Sequence, residues 1–124
     1  MDIMELIKKG KEERIINFLV EENWSSYIYV YDEILEVLES SAINSKDDFP
    51  NSLFCDITSE AINKITSILI KYKEIELFEE RNRDVINYAV FKALFSEQIP
   101  PVTNVFIEND KYIVEIFDST YVPF

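Results

Sequence analysis

Residues 27–40, YIYVYDEILEVLES, begin with the alternation of a β-strand and end with the spacing of a helix. As a strand, Tyr27, Tyr29 and Tyr31 would line one face and Ile28 and Val30 the other, but that alternation is lost at DEILEVLES. At about 100° per residue, a helix collects Tyr27, Val30, Tyr31, Ile34, Leu35, Val37 and Leu38 on one broad stripe. The opposite side then holds Tyr29, Asp32, Glu33, Glu36, Glu39 and Ser40, with no aliphatic side chain among them. So clean a division over three turns predicts a helix. Ser25 or Ser26 is suited to cap it, by accepting a hydrogen bond from a free first-turn N–H.

The same periodicity extends in both directions. Upstream, DIMELIKKG places Ile3, Leu6 and Ile7 on one side, whereas KEERIINFLVEEN carries Ile15, Ile16, Phe18, Leu19 and Val20 in a different phase. Gly10 lies at the change of phase, which predicts two short helices or one broken there. Downstream, residues 40–52 read as a loop, from their Ser, Asn and Asp content and Pro50. Residues 53–80 carry a long helix starting near Asp56 or Thr58, with Ala61, Ile62, Ile65, Ile68, Leu69 and Tyr72 as its core stripe. Ile70 and Leu77 fall on the back of that helix, so part of the back also meets something.

Asn82 is placed to cap a further helix through Ser96. Val85, Ile86, Ala89, Val90, Ala93 and Leu94 fall on one side of it, and Tyr88, Phe91 and Phe95 on the other. A helix apolar nearly all round belongs in the middle of a domain. Pro100 and Pro101 stop it. The last segment is different: residues 105–107 and 112–117 are β-branched and aromatic runs on either side of ENDK, where Asn109 and Asp110 tolerate positive φ. The expected fold is one domain over residues 1–124, of the α+β class and mainly α. It is a bundle of four to five helices with a C-terminal β-hairpin packed against it, and 48% hydrophobic content is ample for such a core.

Charge is the strongest global property. Twenty-four acidic and twelve basic residues, with no His, give a net charge of −12. Such a field repels nucleic acid and anionic membranes and attracts basic proteins. It is unevenly spread: residues 21–48 hold Glu21, Glu22, Asp32, Glu33, Glu36, Glu39, Asp47 and Asp48 against Lys46 alone, and no Lys or Arg lies between Arg14 and Lys46. Glu33, Glu36 and Glu39 therefore lack the interleaved Lys partners that an ordinary exposed helix uses for support at i,i+4. Tyr29, a residue type enriched at binding hot spots, sits among these acids.

Most chemistry is excluded by composition. Without His there is no neutral-pH imidazole base, no Ser–His or Cys–His pair and no usual zinc ligand set. One glycine cannot build a nucleotide-binding Gly-rich loop. Carboxylate pairs such as Asp32 with Glu36, or Asp47 with Asp48, are expected by chance among twenty-four acids, and the latter lacks calcium-loop spacing. Cys55, with no basic neighbour, reads as a packed small side chain. No catalytic residue, metal ligand or cofactor site is therefore assigned, and the chain is expected not to be an enzyme. The first residues lack the apolar stretch of a secretory signal, no run reaches the length of a membrane span, and the expected location is the cytoplasm.

A small, His-free, acidic chain presenting Tyr29 among Asp32, Glu33, Glu36 and Glu39, flanked by further acids, resembles the bacterial immunity proteins that neutralise nuclease toxins. These are of the colicin type or the contact-dependent growth inhibition type. The resemblance rests on YIYVYDEILEVLES and its acidic flanks, about a quarter of the chain, and is one of type, since YVYDE places its tyrosines before its acids. It implies a basic toxin or nuclease domain as partner, with Tyr29, Asp32, Glu33, Glu36 and Glu39 in contact and Glu22, Asp47 and Asp48 steering. Two other functions use the same charge: a DNA mimic that blocks a host or phage defence nuclease, and a non-catalytic adaptor domain whose charge serves solubility.

Overall fold

In the computed structural model, which describes residues 2–20, 28–43, 52–72, 75–96 and 102–117, four helices pack on a three-stranded antiparallel sheet. The order along the chain is α1 (Ile3–Val20), α2 (Ile28–Ser40), β1 (Ser52–Asp56), α3 (Ser59–Tyr72), α4 (Arg83–Leu94), β2 (Val102–Glu108) and β3 (Lys111–Phe117). A single 3-10 turn, Glu80–Asn82, leads into α4.

The stretch that decides the fold is helical, as its spacing predicts. Val30, Ile34 and Leu38 of α2 are buried, Leu35 and Val37 pack against the core, and Asp32 and Glu36 are exposed. Ser40 and Ser41 both donate their hydroxyls to the Val37 carbonyl, at 2.8 and 3.1 Å, and so satisfy an acceptor that the helix end leaves free. The suggested N-caps, Ser25 and Ser26, lie outside the described residues.

α3 starts where Thr58 accepts the Ala61 N–H at 3.1 Å, an N-cap that holds the first turn. It ends at Tyr72, well short of residue 80, which corrects the longer helix expected from the apolar spacing. Leu77 and Phe78 are buried instead from a turn, with Phe78 edge-on to Phe18 of α1 at a centroid distance of 5.4 Å. Their burial explains why the apolar pattern outran the helix.

Asn82 precedes α4 but makes no capping bond. Its side chain is buried, donating to the Leu77 carbonyl at 3.0 Å and accepting from Lys11 Nζ at 3.3 Å, so it ties the turn to α1. α4 is central: it packs against both α1 and α3, with Ala89 and Ala93 fully buried, and Phe91 and Phe95 meet the Tyr112 ring of β3 edge-on at 5.0 and 5.4 Å. Tyr88 departs from the all-round apolar expectation. It is half exposed, and Lys92 Nζ sits 4.6 Å from its ring centre while also lying 3.7 Å from the carboxylate of the buried Glu12 in α1.

α1 is one continuous helix through Gly10, which corrects the expected break. The hairpin has its turn at Asn109 and Asp110, with φ of 50° and 62°, between the paired Glu108 and Lys111. A third strand, β1, was not foreseen; it lies on the other side of β3 with Leu53 opposite Ile116 and Cys55 opposite Val114. These four side chains are buried toward the helices, whereas Phe54, Phe106 and Ile113 lie on the other face of the sheet, with Phe54 and Phe106 6.1 Å apart. The segment just after α2, inside the expected loop, adds a bridge to β1 at Ala42 and Cys55.

Two stability changes follow from these contacts. Thr66 is fully buried in α3 and its hydroxyl has no hydrogen-bond partner. Thr66→Val keeps the shape, removes the unpaired group and should raise unfolding free energy by about 1 kcal/mol in a urea titration. Asn109→Val puts a β-branched residue in left-handed backbone and should lower it by about 1–2 kcal/mol, while Asp110→Gly should leave it unchanged or higher.

Candidate partner-binding face

The acidic side of α2 is displayed by the burial of its other side. With Val30, Ile34 and Leu38 in the core, Asp32 and Glu36 are exposed and Glu33 and Glu39 half-buried, Glu39 near enough to the core thiol of Cys55 for its charge to act on it. Tyr29 belongs to the first turn of α2. Glu22, Asp47 and Asp48 lie outside the described residues.

α2 packs against α3, and a groove of about 470 Å³ runs between them. Glu33, Glu36 and Ser40 form one wall, and Asn63, Lys64 and Ser67 the other. The four sequence-assigned acids thus divide: Glu33 and Glu36 border the groove, whereas Asp32 and Glu39 do not line it. The groove is less purely acidic than α2 alone. Lys64 of the far wall pairs with Glu60 one turn away at 3.3 Å, and Lys71, which does not line the groove, lies 3.7 Å from Glu33. Among the described residues, no ion pair is made to Asp32 or Glu36.

Asn63, Lys64, Ser67 and Lys71 are the part of this site that inspection of α2 alone misses. Their spacing of three to four residues was visible in the sequence as a polar stripe on α3, opposite its core stripe, and it could have identified the far wall. That wall is braced from α4. Arg83 donates from Nη1 to Asn63 Oδ1 at 2.6 Å and from Nη2 to Glu80 Oε1 at 2.7 Å. The Arg83 hydrogen bond holds the Glu80 carboxyl below the usual carboxylate range, with the guanidinium charge acting in the same direction.

Cys55 lies on β1, behind the C-terminal part of α2. Burial, aided by the negative charge of Glu39, pushes its thiol from an ordinary value of 9.0 up to about 12. The thiolate needed for nucleophilic or ligand chemistry is thereby suppressed at neutral pH. An unfolded chain loses this proton near pH 9 whereas the folded chain keeps it to about 12, so this group destabilises the fold as pH rises through that window. At pH 8 Cys55 should resist an aromatic disulfide reagent in native protein and react fully within minutes in denaturant. Rapid reaction of the native chain would show that β1 is accessible.

Among the described residues, no helix is long and apolar enough to cross a membrane. Comparison of the chain with protein-family models, with curated proteins and with solved structures finds no match.

Proposed function

We propose that this chain is an immunity protein, binding and neutralising a basic toxin of the nuclease class through the acidic face of α2. The observation that carries the proposal is the pair Asp32 and Glu36, exposed and without a cation from the described residues, beside the groove that Glu33 and Glu36 share with α3. Adjacent acids on one helix turn repel one another, so this arrangement weakens folding and is best explained by a use outside the chain.

A nuclease toxin needs cationic side chains to hold phosphates, and those are the side chains this face attracts. At long range, the −12 charge raises the rate of encounter by ~10–10³-fold at low salt. At contact, an Arg or Lys of the toxin enters the groove between Glu33 and Glu36. It displaces Lys71, whose bond to Glu33 is weak: the Lys71 side chain is 68% exposed, and pairs in water contribute at most about 1 kcal/mol. An incoming Arg offers two parallel bonds to a carboxylate that Lys cannot. The resemblance to immunity proteins adds Tyr29, in the first turn of α2, to the contact set.

The acids on α2 favour this over a DNA mimic. Asp32 to Glu39 spans about 10 Å of helix, Lys64 of α3 borders the same groove, and Lys71 pairs with Glu33. A duplex mimic needs instead an extended double row of carboxylates with phosphate spacing.

The test is affinity capture from the native host with the natural chain and with a Glu33→Lys/Glu36→Lys variant, followed by titration of the captured protein. The expected partner is basic and poisons a bacterial host unless this chain is co-expressed. Its affinity should fall at least ~100-fold on double charge reversal, the effect of losing two close pairs, and should fall steeply with salt. Binding that survives the reversal or ignores salt refutes the proposal, and so does a partner without toxicity.

A further inference from the structure

The groove between α2 and α3 has two walls of opposite hydrogen-bonding character. On the α2 wall, the carboxylates of Glu33 and Glu36 only accept. Ser40, on the same wall, has committed its hydroxyl proton to the Val37 carbonyl at 2.8 Å, which leaves it an acceptor as well. On the α3 wall, the Lys64 ammonium only donates. Asn63 is able to do either, and the fold decides which.

That decision is made from outside the groove. Arg83 donates from Nη1 to Asn63 Oδ1 at 2.6 Å, so the side-chain oxygen is engaged on the α4 side. Among the described residues nothing accepts from Asn63 Nδ2, and these hydrogens are what Asn63 has left to offer a ligand. Arg83 is itself held in place. Its Nε and Nη2 bond the two carboxylate oxygens of Glu80 at 2.5 and 2.7 Å, a fork-to-fork pair that fixes the plane of the guanidinium. Neither Glu80 nor Arg83 lines the groove.

Such a groove does not suit a segment that brings cations alone. Lys64 is paired with Glu60, but at 58% exposure that pair is solvent-screened and leaves the ammonium available to a ligand. A second cation beside the first would face Lys64 and the Asn63 amide hydrogens. Between the walls, Val37 and Ile68 are half-buried and apolar, a floor for the methylene stem of a long side chain. In an extended chain, successive side chains point to opposite sides, so two adjacent residues reach both walls at once.

We infer that the groove takes an extended segment of the partner in which an arginine adjoins an aspartate. The guanidinium sits on Glu33 and Glu36, the neighbouring carboxylate sits on Asn63 Nδ2 and Lys64, and Arg83 is the residue that positions Asn63. The inference rests on the reading of this face as the partner-binding surface, and adds which segment of a basic protein docks there.

The test is titration of the isotope-labelled full chain, followed by NMR, with the blocked peptides acetyl-Gly-Arg-Asp-Gly-amide and acetyl-Gly-Arg-Lys-Gly-amide. Salt at about 0.5 M screens the long-range field, so that contact chemistry decides. The Arg-Asp peptide should bind at least ~5-fold tighter, the effect of one exposed charge pair, and should move the signals of Glu33, Glu36, Lys64 and the Asn63 side-chain amide. Lys64→Glu should reverse the preference, although it makes the protein more acidic. Asn63→Asp should weaken the Arg-Asp peptide while leaving the melting temperature unchanged or higher, because an aspartate there still accepts from Arg83. Arg83→Lys should narrow the preference and leave affinity for the Arg-Lys peptide unchanged, a change in selectivity that a merely structural role would not produce. Equal affinities, a preference for Arg-Lys, or no movement of the groove signals overturns the inference. A response that survives Glu33→Lys/Glu36→Lys refutes instead the underlying reading of the α2 face.

Discussion

The antiparallel pairing of β1 with β3 is the constraint on which the rest of the structure depends. Five residues from the middle of the chain lie beside a strand near its C-terminal end, with Leu53 against Ile116 and Cys55 against Val114. Both neighbours of β1 in the chain are then fixed to it. On one side, the Asp56 N–H bonds the Ser41 carbonyl at 3.0 Å and the Ile43 N–H bonds the Phe54 carbonyl at 2.8 Å, so the end of α2 cannot drift. On the other, Ile57 N–H bonds the Tyr112 carbonyl at 2.7 Å and Thr58 at once caps α3. The two helices that form the acidic groove are therefore set by a strand that contributes no side chain to its walls.

This also explains what could and could not be read from the residues alone. α2, the core stripe of α3, the central place of α4 and the Asn109–Asp110 turn depend on local spacing and local backbone chemistry, and each was legible. β1 was not, because SLFCD is too short to show alternation and its strand character comes from β3, some sixty residues away. The end of α3 was misjudged for the converse reason: Leu77 and Phe78 are apolar because the core needs them, and periodicity cannot tell a buried turn from a helix. Of the candidate site, the acids on α2 were legible as a stripe. The pairing of Lys71 with Glu33 was not, since what brings them within 3.7 Å is the packing of α3 against α2.

The electrostatics of the fold has a consistent logic. Where charge is buried it is matched: Glu12 is 8% exposed and faces Lys92, and Lys11 reaches the buried Asn82. These contacts hold α1 to α4, and leaving either partner alone would strand a polar group away from water. Where charge is exposed, pairs are scattered and weak, as in Arg14 with Glu76 and Lys71 with Glu33. Surplus acid therefore gathers on surfaces that the core does not use. Its long-range field is felt everywhere outside the protein, but short-range contact differs sharply between the α2 face and the balanced first half of α1.

The continuity of α1 through Gly10 carries a more general point about helical patterns. When two apolar stripes on one segment are out of phase, the simplest inference is a break, because one helix has only one face toward its own core. The inference fails when only one of the stripes faces the core. Ile15 and Leu19 are buried by α1's own fold, whereas Ile3, Leu6 and Ile7 keep half or more of their surface in water. The packing of α1 against α4 covers little of that outer stripe: Ile7 borders a cleft with Val85 of α4, and Ile3 stays 71% exposed. A phase shift with no break in the backbone is thus itself a signal. It marks where the helix turns its apolar residues away from the side that Ile15 and Leu19 bury.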